Sequence, residues 1–496
     1  MSLSNHTLIL KNDGTLWGCG RNDHGELGLG DTNNRNALTK ITTNANDVKS
    51  IYCGYNHTII LKNDGMLFGC GLNNYGQLGL GDTDNRSTFT IIGINSGNIK
   101  EIYLGGEHTI ILKNDGTLWG CGRNIEGQLG VGDTNSRSIF KQITVNTDNI
   151  KSVYCGYNYT LILKNDNTLW GCGDNTYGQL GLEDRSSRTT FTKITANADN
   201  IKSVYCGAEQ TFILKNDGTL WGCGYNGYGQ LCLGDTTYRS TFKQITTNAN
   251  NIKSIYCGYY YILIVKNDDT LWGCGDNRFG QLDLGDTKDR TTFTQSAVNI
   301  HDMKSIYCGS SYVLMLKSDG TLWGCGWNER SSLGLGDATN RKAFTQITTN
   351  ADNIKGFAND YNTPSAIKIY DSKIGYAETI DTNNFRNIHV DKFEKLKVLY
   401  VKPLNTYANC LISFDKKQTW KTFNGTTWTA ISNTTPSNII LNCMDIETLN
   451  HLTKQDLVQA GFVGDLDFKV AIKTNDEKVT SSISKIYIVY KNPSWT

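Results

Sequence analysis

Thr15-Leu-Trp-Gly-Cys-Gly-Arg-Asn-Asp-His-Gly-Glu-Leu-Gly-Leu-Gly-Asp-Thr32 decides the fold, because the passage returns six more times along the chain. Its aromatic residue recurs as Trp17, Phe68, Trp119, Trp170, Trp221, Trp272 and Trp323, always 51 residues apart. A fixed period of this size marks a repeat architecture, in which each unit buries its apolar face only against its neighbours. No insertion interrupts the period, so the units are expected to superimpose closely.

Each unit reads as four short strands. In the second these are Val48–Cys53, His57–Lys62, Met66–Cys70 and Thr88–Ile92. The turn Asn63-Asp-Gly65 joins the middle pair, and its last position needs a positive φ, which Gly supplies freely and Asn or Asp tolerate. The seven occupants obey that rule: Gly14, Gly65, Gly116, Asn167, Gly218, Asp269 and Gly320. Four strands in each of seven units predict an all-β, seven-bladed propeller, with an open β-solenoid as the alternative. The first unit begins at its second strand, Asn5–Leu10, and lacks an innermost one. The missing piece, Asn353-Ile-Lys-Gly-Phe-Ala358, follows the seventh unit. This predicts a closed ring whose end supplies a strand to its beginning, covering two otherwise open edges.

The pattern Leu-Trp-Gly-x-Gly-x-Asn-x-x-Gly-Gln-Leu-Gly-x-Gly resembles the repeat of the regulator of chromosome condensation family, and the resemblance implies the same seven-bladed propeller for residues 1–359. It departs from the pattern at Glu183, where the fourth unit reads Leu-Glu-Asp, and at Asn328-Glu-Arg-Ser-Ser-Leu333, where the seventh loses Gly-Gln. Both departures fall in loops and question local loop shape only.

Beyond residue 359 the period vanishes, and all four prolines lie in the last third. Residues 360–365 read as a linker. Residues 366–496 read as an antiparallel β-sandwich with strands Ala366–Tyr370, Lys395–Val401, Cys410–Phe414, Trp420–Phe423, Trp428–Ile431, Asp467–Lys473 and Ser484–Tyr490. Asp445–Ala460 has helical spacing, with Thr453 as an N-cap. The passage from Leu411 to Trp428 resembles a small β-domain at the ends of tail-associated proteins of phages of low-GC Gram-positive bacteria.

Composition narrows the function. The formal net charge is +1, from 48 basic and 47 acidic residues, which argues against a nucleic-acid partner or an anionic membrane surface. No segment approaches the roughly 18 consecutive apolar residues of a membrane span. The start, Met1-Ser-Leu-Ser-Asn, has no features of a signal peptide, so release by lysis or within an assembly is expected. Of the 15 cysteines, seven sit in Gly-Cys-Gly and five in Tyr-Cys-Gly. Leu104 fills the second niche in the third unit, so the niche is apolar and buried free thiols are expected. Zinc would need paired ligands at short spacing, and there is no Cys-x-x-Cys.

No catalytic constellation stands out, and neither a metal nor a cofactor is expected. Asp31, Asp82 and Asp133 precede Arg35, Arg86 and Arg137 by four residues, a spacing repeated in all seven units. Catalysis needs a unique arrangement and symmetry supplies seven copies, so these read as structural ion pairs. His6, His57 and His108 share one position with Tyr159, Gln210, Tyr261 and Tyr312. They read as surface or channel-lining side chains rather than metal ligands. Binding is expected where the units disagree, since repeat frameworks hold core positions fixed while loops on one face vary. The variable set is rich in aromatics: Tyr55, Tyr157, Tyr259 and Tyr260 before the second strand, and Tyr225 and Trp327 after the third. Such rings suit stacking on sugars or peptides.

The expected function is therefore that of a non-enzymatic structural and receptor-binding component of a phage tail or tailocin. Its partners would be other tail or baseplate proteins and a bacterial cell-surface glycan or protein, bound through the propeller, the sandwich or both. Such a component would be assembled in the bacterial cytoplasm and released by lysis. A homotrimer fits such proteins, although no heptad or fibre segment shows how it would form. The alternative is a bacterial surface or effector protein that binds host protein or glycan. The family resemblance also implies a remote one, guanine-nucleotide exchange.

Overall fold

The computed structural model describes residues 4–94, 99–298 and 300–357 and, further along, the strand backbones between residues 366 and 490. The chain divides into two compact units, Met1–Tyr361 and Asn362–Thr496.

The first unit is a seven-bladed propeller of four-stranded antiparallel sheets. In the second blade the order is Val48–Cys53, His57–Lys62, Leu67–Gly71 and Arg86–Ile92. Innermost strands of successive blades touch, as Val48–Cys53 touches Ile99–Leu104, so they line the axis. The sequence explains the layering. His57–Lys62 is a near-continuous apolar run and every residue in it is buried, because both faces of the sheet meet a neighbouring blade. Arg86–Ile92 at the rim mixes buried and exposed positions. The core lies in the gaps between blades: Phe242 of the fifth blade packs with Leu163 and Leu180 of the fourth.

Two local devices shape each blade. The turn position carries φ +79° at Gly14, +62° at Asn167 and +57° at Asp269, the left-handed conformation that the three residue types share. A register shift lies between Gly171 and Gly173 in the third strand of the fourth blade, and Gly173 takes φ +97° there. The outer strands begin earlier than their sequence pattern indicates, at Arg86 in place of Thr88, because Arg86 pairs with Gly71 across the equivalent bulge.

Ile354–Phe357 joins the first sheet beside His6–Lys11, with Ile9 opposite Phe357 and Leu10 opposite Gly356. Blades seven and one share one core, in which Tyr307, Tyr312 and Leu314 pack with Leu8, Ile9 and Phe357. The departures at Glu183 and at residues 328–333 leave the loops in shape. Glu183 takes φ +71° and its N–H donates to Ser240 O at 2.9 Å, as that of Gly132 does to Thr189 O. Ser331 takes φ +62°, and Leu333 N–H still donates to Asn328 Oδ1 at 3.0 Å.

In the second unit the strands form two sheets. One orders Ala377–Asp381, Ala366–Asp371, Ile486–Tyr490 and Leu396–Tyr400. The other runs Ile388–Val390, Leu466–Thr474, Thr406–Ser413, Trp420–Phe423 and Trp428–Ile431, with Met444–Asp445 beside Thr406–Ser413. The expectation of a wholly antiparallel domain is corrected at one pair: Ala366–Asp371 and Ile486–Tyr490 run parallel, which the long intervening chain permits. Asp445 lies in a strand, and the remainder of the expected helix, like the linker 360–365, lies outside the described residues.

Candidate recognition face

The turns between first and second strands and the long loops between third and fourth strands lie at the same end of every blade, because adjacent strands alternate in direction. This face carries every variable position singled out in the sequence.

At its centre a hoop of backbone hydrogen bonds passes from blade to blade. Asn5 N–H donates to Tyr55 O, Tyr55 N–H to Gly106 O, Gly106 N–H to Tyr157 O, and so on through Ala208 and Tyr259 to Ser310, whose N–H donates to Ser4 O at 3.0 Å. Large and small residues alternate around the hoop. Tyr55, Tyr157 and Tyr259 stand on blades two, four and six, with Ser4, Gly106, Ala208 and Ser310 between. Their three rings meet, with centroids 5.2, 5.8 and 5.5 Å apart. Seven tyrosines would not fit around so narrow an axis, and three with small neighbours do.

From this triangle the aromatic surface runs outward in one direction. Tyr260 lies 4.5 Å from Tyr259, 5.1 Å from Tyr225 and 5.3 Å from Tyr228. Tyr225 also meets Tyr238 at 4.8 Å and Tyr177 at 4.9 Å. These rings are half-buried and, with the triangle, form one continuous patch that joins Tyr55 of blade two to blades four to six. Five of the six aromatics read from the sequence are thus in a single surface. Trp327 is not part of it and instead faces Phe279 at 6.5 Å. Tyr177, Tyr228 and Tyr238 were missed. The first two occupy the second variable place of Asn-x-x-Gly, where the other blades carry His24, Tyr75, Glu126, Phe279 and Arg330, so the same disagreement between units would have found them.

The patch holds charge at its edges. Tyr260 Oη donates to Glu209 Oε2 at 3.2 Å, and burial pushes that carboxyl up to about 7, with the nearby Asp174 charge adding and the Tyr260 bond opposing. Arg278 lies over Tyr228 at 4.4 Å and is held by Asp276 at 2.9 Å. Arg21 and Arg123, at the same position as Tyr225 in the first and third blades, donate to Asn56 and Asn158 Oδ1. The variable ring is therefore cationic on blades one and three, anionic on blades four and six, and aromatic on blades five and seven.

The Asp–Arg pairs lie in the same loops. Arg35 Nη2 meets Asp31 Oδ2 at 2.5 Å, Arg86 meets Asp82 at 2.5 Å and Arg137 meets Asp133 at 2.6 Å, and the four other blades repeat the contact. The Arg35 hydrogen bond, with that of Asn33 N–H, holds the Asp31 carboxyl below its usual range. A buried asparagine anchors each loop from below: Asn124 Nδ2 donates to Asp133 O at 2.8 Å, and its Oδ1 accepts Leu129 N–H at 2.9 Å.

The reading of His6, His57 and His108 as surface or channel-lining groups is corrected. All three are fully buried between blades, with Nε2 2.8, 3.2 and 3.0 Å from Thr58, Thr109 and Thr160 Oγ1 of the next blade. Burial drives each imidazole down to about 3. The position is a bolt between blades. In the last blade Tyr312 Oη fills it, donating to His6 O at 2.8 Å. Among the described residues thirteen cysteines are buried, none of them in a disulfide. Among the described residues no three or more His, Cys, Asp or Glu side chains are grouped to hold a metal ion. Among them, too, no helix is long and apolar enough to cross a membrane.

Comparison with known proteins agrees with the repeat. Residues 93–362 match the RCC1-like domain, and residues 13–61 and 64–112 match the regulator of chromosome condensation (RCC1) repeat. The ultraviolet-B receptor UVR8 of Arabidopsis thaliana is 28% identical over 347 residues, covering 68% of this chain and 78% of its own length. The human X-linked retinitis pigmentosa GTPase regulator is 29% identical over 56% of this chain, but over only 28% of its own length. Among solved structures, yeast RCC1 (Prp20) bound to Kap60 superposes with a TM-score of 0.61 at 19% identity, over 70% of this chain and 85% of that one. Human WBSCR16 gives 0.59 at 18% identity, over 69% and 94%. Repeat, blade architecture and family match converge, and the chain belongs to the RCC1-like domain family.

Proposed function

We propose that this chain is a non-enzymatic recognition protein whose propeller binds a partner protein through the tyrosine patch of blades four to six. The observation that carries the reading is the asymmetry of one face. The framework repeats almost unchanged seven times, yet seven tyrosines of blades four to six are gathered, with Tyr55 of blade two, into one contiguous surface. Tyrosine supplies large contact area at low entropic cost together with a polar tip, and it is enriched where interfaces concentrate their binding energy. Relatives named as a receptor and a GTPase regulator, and a structural neighbour solved with Kap60 bound, support a protein partner.

The finer setting we propose is a phage tail or tailocin particle of low-GC Gram-positive bacteria, with the propeller and the module from residue 366 onward as separate units. There the partner is a bacterial surface protein or glycan, or a neighbouring tail or baseplate protein. This part rests on the likeness of residues 411–428 to tail-associated β-domains.

The test is retention of the purified chain on cell walls from a panel of such strains, beside a Tyr225→Ala/Tyr228→Ala/Tyr260→Ala variant. Strain-dependent retention that drops at least tenfold in the variant is expected. Equal retention of both proteins would remove the patch from the binding role. Nucleotide release from small GTPases is expected to be unchanged by the protein, and acceleration would favour the exchange reading instead.

A further inference from the structure

Immediately after the leucine of Gln-Leu (Glu-Leu in the first blade, Ser-Leu in the seventh), five blades carry glycine, at Gly28, Gly79, Gly130, Gly181 and Gly334, with φ between +67° and +69°. The fifth blade carries Cys232 there, at φ +56°, and the sixth Asp283, at +57°. A β-carbon built on each of those glycines falls beside the Gly-Cys-Gly thiol of the next blade: 3.2 Å from Cys70 Sγ at Gly28, 3.0 Å from Cys172 Sγ at Gly130 and 2.9 Å from Cys19 Sγ at Gly334. About 3 Å is the separation between one β-carbon and the partner sulfur in an unstrained disulfide. The repeat therefore holds a disulfide-ready geometry at the five blade junctions that carry glycine, and the fifth blade places a second cysteine, Cys232, at the equivalent position.

The Cys232 and Cys274 side chains there interact with one another. In the second blade Cys70 Sγ reaches Glu26 O at 3.3 Å, and in the third Cys121 Sγ reaches Gln77 O at 3.4 Å, each the residue 44 earlier. The equivalent acceptor for Cys274 is Gln230 O, but Cys232 Sγ takes it, at 3.4 Å. Cys274 Sγ turns instead to Gly229 O and Arg290 O, both at 3.2 Å. Two thiols share a niche built for one.

We propose that Cys232 and Cys274 are an oxidation site that forms a disulfide between the fifth and sixth blades. With hydrogen peroxide as oxidant, one thiolate attacks a peroxide oxygen, the O–O bond breaks, and a sulfenic acid and hydroxide form. The second thiolate then attacks that sulfur, the S–S bond forms, and the hydroxyl leaves as water. Two thiols and one peroxide give one disulfide and two waters. Burial, reinforced by the Cys274 contact, pushes the Cys232 thiol well above its ordinary range, so oxidation is slow and follows local opening. Once made, the bond pins the loop that presents Tyr225, Tyr228 and Tyr238.

The test treats the folded full chain with hydrogen peroxide, alkylates the remaining thiols and maps peptides by mass. A peptide pair joined through Cys232 and Cys274, lighter by two hydrogens, is expected, with a rise in Tm that full reduction abolishes. Cys232→Gly restores the residue that five blades use, so it is expected to fold, to lose the linked pair and to lose the Tm rise. Recovery of both cysteines as free thiols, or crosslinks spread evenly over other cysteine pairs, would overturn the proposal.

Discussion

Single side chains reach from one blade into the next, and their identities follow from what they touch. Trp17 Nε1 donates to Thr15 Oγ1 at 2.8 Å, and five other blades repeat the bond. In the second blade Thr and Trp are lost together, to Met66 and Phe68, so no part-buried indole donor is left without its threonine. That pairing was legible in the chain, since both changes sit in one unit. The histidine position was not, because a polar residue beside variable loops reads as solvent-facing until its partner in another unit is known. Its consequence is a pH dependence. An imidazole that titrates at about 3 when folded and near the ordinary 6.5 when unfolded takes up protons preferentially in the unfolded chain between those values. Stability is thus lost as pH falls through 6.5 towards 3, by about 2 kcal/mol for each histidine at pH 5. Glu209, raised to about 7, acts in the opposite sense between its unfolded value and 7, so the readout must be a difference between variants. Replacing His57 with Gln, the residue of the fifth blade, is expected to narrow the gap in Tm between pH 7 and pH 5. An unchanged gap would mean that the imidazole is not buried neutral. The loop anchors give a second outcome. Asn124→Ala strands the buried Leu129 N–H and is expected to cost about 1–3 kcal/mol in denaturant unfolding. Asp133→Ala breaks an ion pair whose carboxylate is a third exposed, and should cost under about 1 kcal/mol.

At the scale of the element, the strands were legible because each leaves a period-two or fully apolar signature between fixed turn residues. The turn rule held at all seven positions, so its tolerance can be tested directly. Gly218→Asn is expected to leave unfolding within about 0.5 kcal/mol of the parent, since Asn167 already takes φ +62° in the same place. Gly173→Ala is a different case. Its φ is +97°, and a β-carbon there would lie 2.5 Å from Asn158 O, backbone that cannot move without breaking the turn below it. A loss of more than about 2 kcal/mol in denaturant unfolding is expected, from strain and overpacking together. Equal effects at the two glycines would show that the bulge relaxes and does not set the loop's course. The bulge itself was not visible in the chain, because two consecutive Gly-x-Gly pairs read alike while only one carries the register shift. The tyrosine patch was half visible for a related reason: unit-to-unit disagreement marks which positions vary, but not which of them converge across blades.

For the whole propeller, the arrangement of its ends is the feature on which the rest depends. Six sheets are each made from one contiguous stretch, and the first takes its innermost strand from Ile354–Phe357, over 310 residues beyond its other three. Phe357 packs against Tyr307 with ring centroids 5.7 Å apart, and Lys11 Nζ reaches Asp352 at 2.8 Å, so this segment ties the seventh blade to the first as well as completing a sheet. The sequence disclosed this arrangement because an exact period makes a missing strand at one end and a spare at the other conspicuous. An unpaired His6–Lys11 edge would present open backbone donors and acceptors to another chain, the situation that sheet proteins avoid. A polypeptide ending at residue 352 is therefore expected to melt well below one ending at residue 361, and to elute as dimers or larger species in size-exclusion chromatography while the longer one elutes as a monomer. A strand supplied in trans should reverse the defect: a peptide of residues 350–361 is expected to raise the Tm of the shorter polypeptide in a concentration-dependent way, as any ligand of the folded state does. If the shorter polypeptide were monomeric with an unchanged Tm, the six contiguous blades and the rest of the first would hold together without that strand, and the tie between the ends would be an accessory to the fold.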